Sequence, residues 1–172
     1  MNLKPLKNAI DSFPDFPIKD IIFKDLNPIY KDPRLFSLLI DYMKQEADKI
    51  GSFDYIVGIE ARGFILGAVL AQKLGIGFIP IRKKGKLPGQ VDKIEYALEY
   101  GTDTLEIQHD EKLKNAKVLI IDDVFATGGT LKAVIKLIEK FTSEIAYGIV
   151  LDIGIADISS LGKDYFLILD NA

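Results

Sequence analysis

After residue 30 the chain alternates between short apolar runs and stretches whose apolar residues recur at helical spacing. Asp32-Pro33 reads as an N-cap followed by proline at the first helical position. Leu35, Leu38, Leu39, Tyr42 and Ala47 then share one face, and Gly51 supplies the stop. Tyr55 to Ile59 is short, apolar and rich in β-branched residues, the pattern of a strand buried on both faces. Phe64 to Leu74 predicts a helix closed by Gly75, Phe78 to Ile81 a second strand, and Val118 to Ile121 a third after the turn-forming Lys114-Asn115. Leu131, Val134, Ile135, Ile138 and Phe141 place a helix over Thr130 to Phe141, and Ile145 to Leu151 and Phe166 to Leu169 predict further strands. Strands separated by helices imply an α/β fold with a mainly parallel central sheet, flanked by helices, and a site at its carboxyl edge.

One segment breaks the alternation. Lys83 to Gln108 is long and charged, with Ile94 to Leu98 and Leu105 to Ile107 as weak strand candidates. A connection longer than about 15 residues in a compact domain is usually functional or disordered, so residues 83–108 are expected to form a flexible lid.

Composition narrows the possibilities. A length of 172 residues suits a single domain over 1–172, and 48% hydrophobic with 27% charged residues suits a soluble globular chain. The longest charge-free run, Gly63 to Gln72, falls well short of the roughly 18 residues a membrane-spanning helix needs. Lys4, Lys7 and Asp11 interrupt the apolar positions at the N-terminus, unlike a secretory signal, so a cytoplasmic location and no membrane partner are expected. The absence of cysteine excludes disulfides and thiolate chemistry, and a single histidine, His109, leaves no His cluster for zinc. His109 reads as a surface histidine without a nameable partner. A formal charge of -3 argues against nucleic acid as a partner.

The most informative stretch is Val118 to Lys140: an apolar strand, two adjacent acids, a small-residue loop and a helix. Ala126-Thr127-Gly128-Gly129-Thr130 lets bare backbone amides converge at a helix N-terminus and adds two hydroxyl donors, a cradle for one phosphate. Neither a Walker loop nor a dinucleotide fingerprint is present. Asp122 and Asp123, one loop upstream, can accept hydrogen bonds from sugar hydroxyls, so acids and loop together span a ribose 5-phosphate. Two acids alone could cap a turn, and Gly-Gly alone could simply turn the chain. Four cations, Arg82, Lys83, Lys84 and Lys86, within five positions of an acidic protein suit an anionic partner, although a basic run can also be a solvated surface.

This segment resembles the phosphoribosyl-diphosphate-binding signature of type I phosphoribosyltransferases. Phe13 to Pro17 (FPDFP), Glu60 to Gly67 (EARGFILG), Ile81 to Gly89 (IRKKGKLPG) and Leu98 to Gln108 (LEYGTDTLEIQ) resemble, in order, the branch of that family acting on adenine. The resemblance implies transfer of the 5-phosphoribosyl group from phosphoribosyl diphosphate to adenine, giving AMP and pyrophosphate. It implies Asp122, Asp123 and residues 126–130 at the ribose 5-phosphate, and Arg62, Arg82, Lys83, Lys86 and Tyr100 at the pyrophosphate, with Arg82 reaching a neighbouring subunit. It implies Glu99 as acid/base beside Asp122 and Asp123. An N-terminal hood over residues 1–32 would carry Phe16, Ile22, Phe23 and Lys24 to the base, with Phe23 and Val124 on its faces. It further implies Mg2+ bound mainly through substrate, no dedicated protein metal site, and a homodimer. Lys19-Asp20, Lys24 and Ala61 depart from the family's usual residues, which leaves other purine phosphoribosyltransferases, for hypoxanthine, guanine or xanthine, and a non-catalytic phosphoribosyl-diphosphate-binding regulator as alternatives.

Overall fold

The computed structural model describes residues 2–98 and 101–170. It begins with a short helix α1 (Lys4–Asn8), an antiparallel hairpin of β1 (Asp11–Pro14) and β2 (Ile22–Asp25), and a second short helix α2 (Asn27–Lys31). None of these was legible in the sequence pattern, because each is too short to establish a period. Helix α3 (Pro33–Ile50) starts where the Asp32 carboxylate accepts from the N–H groups of Arg34 and Leu35, at 2.8 and 3.2 Å, satisfying donors that the first turn cannot pair internally.

The main body alternates as expected. Strand β3 (Tyr55–Ile59) leads to α4 (Arg62–Leu74), closed by Gly75 in the left-handed region, then to β4 (Gly77–Lys83). After the hairpin of β5 (Val91–Leu98) and β6 (Gly101–Gln108) come β7 (Val118–Phe125), α5 (Gly129–Ile138), β8 (Ile145–Asp152) and β9 (Asp164–Asp170). One seven-stranded sheet has the order β5-β6-β4-β3-β7-β8-β9. The β4-β3-β7-β8-β9 portion is parallel, and the β5-β6 hairpin adds antiparallel to β4 through Arg82↔Glu106 and Lys83↔Leu105.

Apolar layers cover both faces. Leu39, Met43, Leu66 and Leu70 of α3 and α4 pack with Leu119 and Ile121 on one side, and Val134, Leu137 and Ile138 of α5 pack with Val57, Ile120 and Tyr147 on the other. Strand β8 is buried at every position, as an interior parallel strand requires. Among the described residues no helix is long and apolar enough to cross a membrane.

Three boundaries differ from expectation in ways that matter. The segment read as a long connection contains two eight-residue strands; Leu105 and Ile107 are buried, Ile94 and Tyr96 pack beside them, and Lys93 and Glu95 face outward. Its charges occupy one face of a half-buried hairpin, which made the alternation hard to see. Strand β7 runs past Ile121 to Phe125, so the two acids lie inside its last turns of pleat rather than beyond it. Helix α5 ends at Ile138, three residues before Phe141.

Candidate active site

The carboxyl ends of β3, β4 and β7 lie side by side because these strands are parallel neighbours. They deliver Glu60 and Arg62, Lys83, and Asp122 and Asp123 to the wall of one cavity of about 490 Å³, which Asp103 and Tyr96 of the hairpin also line. A smaller hollow of about 100 Å³ adjoins it, lined by Asp122 and the Ala126–Thr130 loop.

The loop owes its shape to Gly128, whose φ of 77° lies in the left-handed region. A Cβ there would also stand 2.9 Å from the Phe125 ring, so both conformation and space require glycine. Gly128 is the N-cap of α5 and offers no side chain to the first turn, where no acid sits either. The amides at that end are left for an anion, with the helix dipole favouring one.

The two acids hold different positions. The Asp122 carboxylate accepts from the Asp123 N–H at 3.0 Å and the Asp123 carboxylate from the Val124 N–H at 2.9 Å, which fixes both side chains on the strand. Asp123 is almost fully buried and forms an ion pair with the half-exposed Arg62. Burial pushes both carboxyls above their ordinary range; the Asp123 charge adds to the rise at Asp122, while Arg62 opposes it at Asp123. Arg62 opens α4, the unfavourable end of a helix for a cation, and its pairing with Asp123 offsets that. The helix can come this close because residue 63 is glycine: a Cβ would lie 2.6 Å from the Ile121 carbonyl oxygen.

The basic run is organised by acids. Glu60 accepts from Lys86 Nζ at 2.6 Å, the Lys83 N–H at 2.9 Å, and Arg82 Nε and Nη2 at 3.4 Å. Burial would raise its carboxyl, but these bonds outweigh it and draw the group down to about 2. Lys83 Nζ pairs with Asp103 at 3.2 Å, and the buried Glu106 accepts from the Gly85 N–H at 2.8 Å.

The sequence-derived site residues divide clearly. Arg62, Lys83, Asp122, Asp123, Val124 and Thr130 line the larger cavity, and Ala126, Thr127, Gly128 and Gly129 the smaller hollow. Arg82 and Lys86 stand behind, held by Glu60, and Arg82 lies over the Phe64 ring at 6.0 Å. In the hood, Ile22 is exposed on β2 and Lys24 pairs with Ser12 in the hairpin register; Phe23 packs edge-on to Phe16 and lies 5.6 Å beneath the Arg62 guanidinium. Glu99 and Tyr100 lie outside the described residues. The reading of His109 as partnerless is corrected: its ring nitrogens bond to Asp92 at 2.6 Å and Glu111 at 3.0 Å.

Four residues were not singled out from sequence: Glu60, Tyr96, Asp103 and Tyr30. Among the described residues the buried Tyr30 hydroxyl has no hydrogen-bond partner, and burial together with the Asp123 charge raises its pKa. A signal existed for Glu60, an acid two residues before Arg62 and one strand away from the four-cation run. None existed for Tyr30 or Asp103, whose proximity depends on tertiary packing.

The geometry agrees with what known proteins reveal by comparison. Residues 25–167 match the family model of the phosphoribosyl transferase domain. An adenine phosphoribosyltransferase from Chlorobium luteolum is 52% identical over 155 residues, covering 87% of this chain and 88% of that one. The crystal structure of adenine phosphoribosyltransferase from Saccharomyces cerevisiae, complexed with D-2,5-dideoxy-2,5-imino-altritol 1,6-bisphosphate and adenine, superposes with a TM-score of 0.89 at 40% identity, covering 96% of this chain and 97% of that one. The enzyme of the same name from Thermoanaerobacter pseudethanolicus superposes with a TM-score of 0.90 at 39% identity, covering 98% and 99%. With the acids, the glycine loop at the start of α5 and the cations at one sheet edge, and relatives matched over most of their length, the chain belongs to the phosphoribosyltransferase family and, within it, to the adenine phosphoribosyltransferases.

Proposed function

We propose that the chain transfers the 5-phosphoribosyl group of phosphoribosyl diphosphate to N9 of adenine, releasing pyrophosphate and forming AMP. The observation that carries this reading is the union of Asp122, Asp123 and the uncapped Gly128–Thr130 helix start with Arg62 and Lys83 around adjoining cavities. The amides and hydroxyls of 126–130 hold the 5-phosphate, and Asp122 and Asp123 accept from the ribose hydroxyls. The bond from C1 to the diphosphate oxygen breaks as the bond to N9 forms, with inversion at C1. Its electron pair leaves with pyrophosphate, whose charge Arg62 and Lys83 stabilise together with Arg82 and Lys86. Positive charge growing on the ribose is met by the carboxylates of the two acids, and Glu99 takes the N9 proton.

Magnesium fits this donor set. Asp122 and Asp123 offer hard oxygen atoms at the cavity wall, which suits an ion shared with the substrate's own oxygens. Such an ion would neutralise diphosphate charge.

Closure of the β5-β6 hairpin over the site, with Tyr100, would exclude water that competes with the purine. Exposed Phe13, Phe16, Ile18 and Ile21 in the hood and Ile65 and Val69 on α4 supply apolar surface for a homodimer. The test is pyrophosphate release with adenine, hypoxanthine, guanine and xanthine offered in turn: adenine is expected to be used at least ~100-fold better in kcat/KM. Equal use of a 6-oxopurine overturns the adenine assignment, and no release with any base overturns the transfer itself.

A further inference from the structure

We propose that Glu60 is a positioning residue for the diphosphate site, the internal counter-anion that holds Arg82 and Lys83 at the end of β4 and Lys86 in the connection to β5 together beside the cavity. This rests on the transferase reading above and assigns a task to an acid which that reading leaves unused. Arg82, Lys83 and Lys86 repel one another when free to move. Glu60 stands at the end of β3, where its own N–H donates to the Ile81 carbonyl at 3.0 Å, so its backbone is tied to the neighbouring strand. From there its side chain, only 10% exposed, takes Lys86 Nζ at 2.6 Å and the Lys83 N–H at 2.9 Å. Arg82 is held more loosely, with both contacts at 3.4 Å.

The donor arithmetic favours positioning over simple neutralisation. A lysine ammonium has three donors and an arginine five, so one bond from Lys86 and two long ones from Arg82 leave most of their capacity for a phosphate. Glu106 holds the Gly85 N–H and Asp103 holds Lys83 Nζ, so the connection hangs on three acids, of which Glu60 alone touches both Arg82 and Lys86. Because the Glu60 carboxyl titrates far below neutrality, the arrangement persists across the working pH range.

The experiment measures binding of inorganic pyrophosphate, and kinetics with phosphoribosyl diphosphate and adenine, for the whole wild-type chain and Glu60→Gln. Glutamine keeps one acceptor for the Lys83 N–H and loses the charge. The dissociation constant for pyrophosphate and the KM for phosphoribosyl diphosphate should each rise about ten-fold, the scale of a lost charge-assisted contact, with the KM for adenine unchanged. Lys86→Met should weaken pyrophosphate binding much less in the Glu60→Gln background than in wild type, since the two act as a unit. A folded Glu60→Gln protein that binds pyrophosphate as well as or better than wild type overturns the proposal, because Glu60 would then merely oppose the anion. If that variant does not fold, the same comparison is made with Glu60→Asp, where unaltered affinity overturns it. A wild type that makes no AMP but binds pyrophosphate in a Glu60-dependent way sinks only the transferase reading; one that binds no pyrophosphate overturns both.

Discussion

Arg62 and Asp123 form an ion pair with unequal exposure: the acid's side chain is 3% accessible and the arginine's 45%. The two partners therefore should not be equally costly to lose. Removing Arg62 leaves a carboxylate in the protein interior without its cation, which typically costs about 3–5 kcal/mol unless the group takes up a proton. Removing the Asp123 charge leaves an arginine that water can reach.

Arg62→Ala should consequently destabilise the fold by at least ~2 kcal/mol more than Asp123→Asn at neutral pH, read from urea unfolding midpoints. Both variants should lose activity, Asp123→Asn through the ribose hydroxyls and Arg62→Ala through the diphosphate. Equal losses of stability would show that the pair is solvated from both sides.

Asp122 leads to the opposite sign. Burial, then the Asp123 charge, raise its carboxyl in the folded chain above the unfolded value. A carboxyl with a raised folded pKa opposes folding once pH exceeds the unfolded value, and increasingly so up to the folded one. Asp122→Asn should therefore raise the thermal midpoint at pH 7, with the gain fading as pH falls toward 4. The same change removes an acceptor for the ribose and should lower kcat/KM more than ~10-fold. A variant that is less stable at pH 7 would contradict the burial argument.

How much of this was readable beforehand follows from how local each signal is. Asp32-Pro33, Gly51 and Gly75 announced helix ends because capping depends on neighbours in sequence. Tyr55 to Ile59 and Ile145 to Leu151 announced buried parallel strands because β-branched runs have few other uses. The acids and glycines of 122–130 are likewise consecutive. The β5-β6 hairpin was obscured because Lys93, Glu95 and Asp103 place charge within each strand. Tyr30 reaches the acids through the packing of α2 on α3, and Asp103 reaches Lys83 through antiparallel pairing, relationships that no spacing along the chain encodes.

Gly128→Ala tests the cradle. Alanine must adopt a φ of 77° and set its methyl 2.9 Å from the Phe125 ring, so strain and crowding add. The left-handed conformation alone costs about 1–2 kcal/mol. Affinity for ribose 5-phosphate should drop at least ~10-fold by calorimetry while adenine binding is kept. An alanine variant that binds ribose 5-phosphate normally would mean that the amides of the α5 start are not the phosphate's partners.

His109 gives a prediction that a single resonance can report, since the chain has one histidine. Its ring joins Asp92 on β5 to Glu111 in the 3-10 turn after β6; Glu111 is also paired with Lys114, and Phe141 flanks the ring at 5.7 Å without charge. Hydrogen bonds from the imidazole to Asp92 first and Glu111 second raise its pKa above 6.5. A raised folded value means that the contribution to stability is full below the unfolded pKa and is lost as pH rises through the folded one. The imidazole signal should titrate above 6.5, Asp92→Asn should lower its midpoint more than Glu111→Gln, and amides near Gln90 and His109 should exchange faster, relative to their intrinsic rates, at pH 8.5 than at pH 6. His109→Gln should abolish that pH dependence. An imidazole that titrates at or below 6.5 would show that neither carboxylate holds it in solution, and the root of the hairpin would then rest on its backbone ladder, the packing of Ile94, Leu105 and Ile107, and the Lys140 bond to the Lys93 carbonyl.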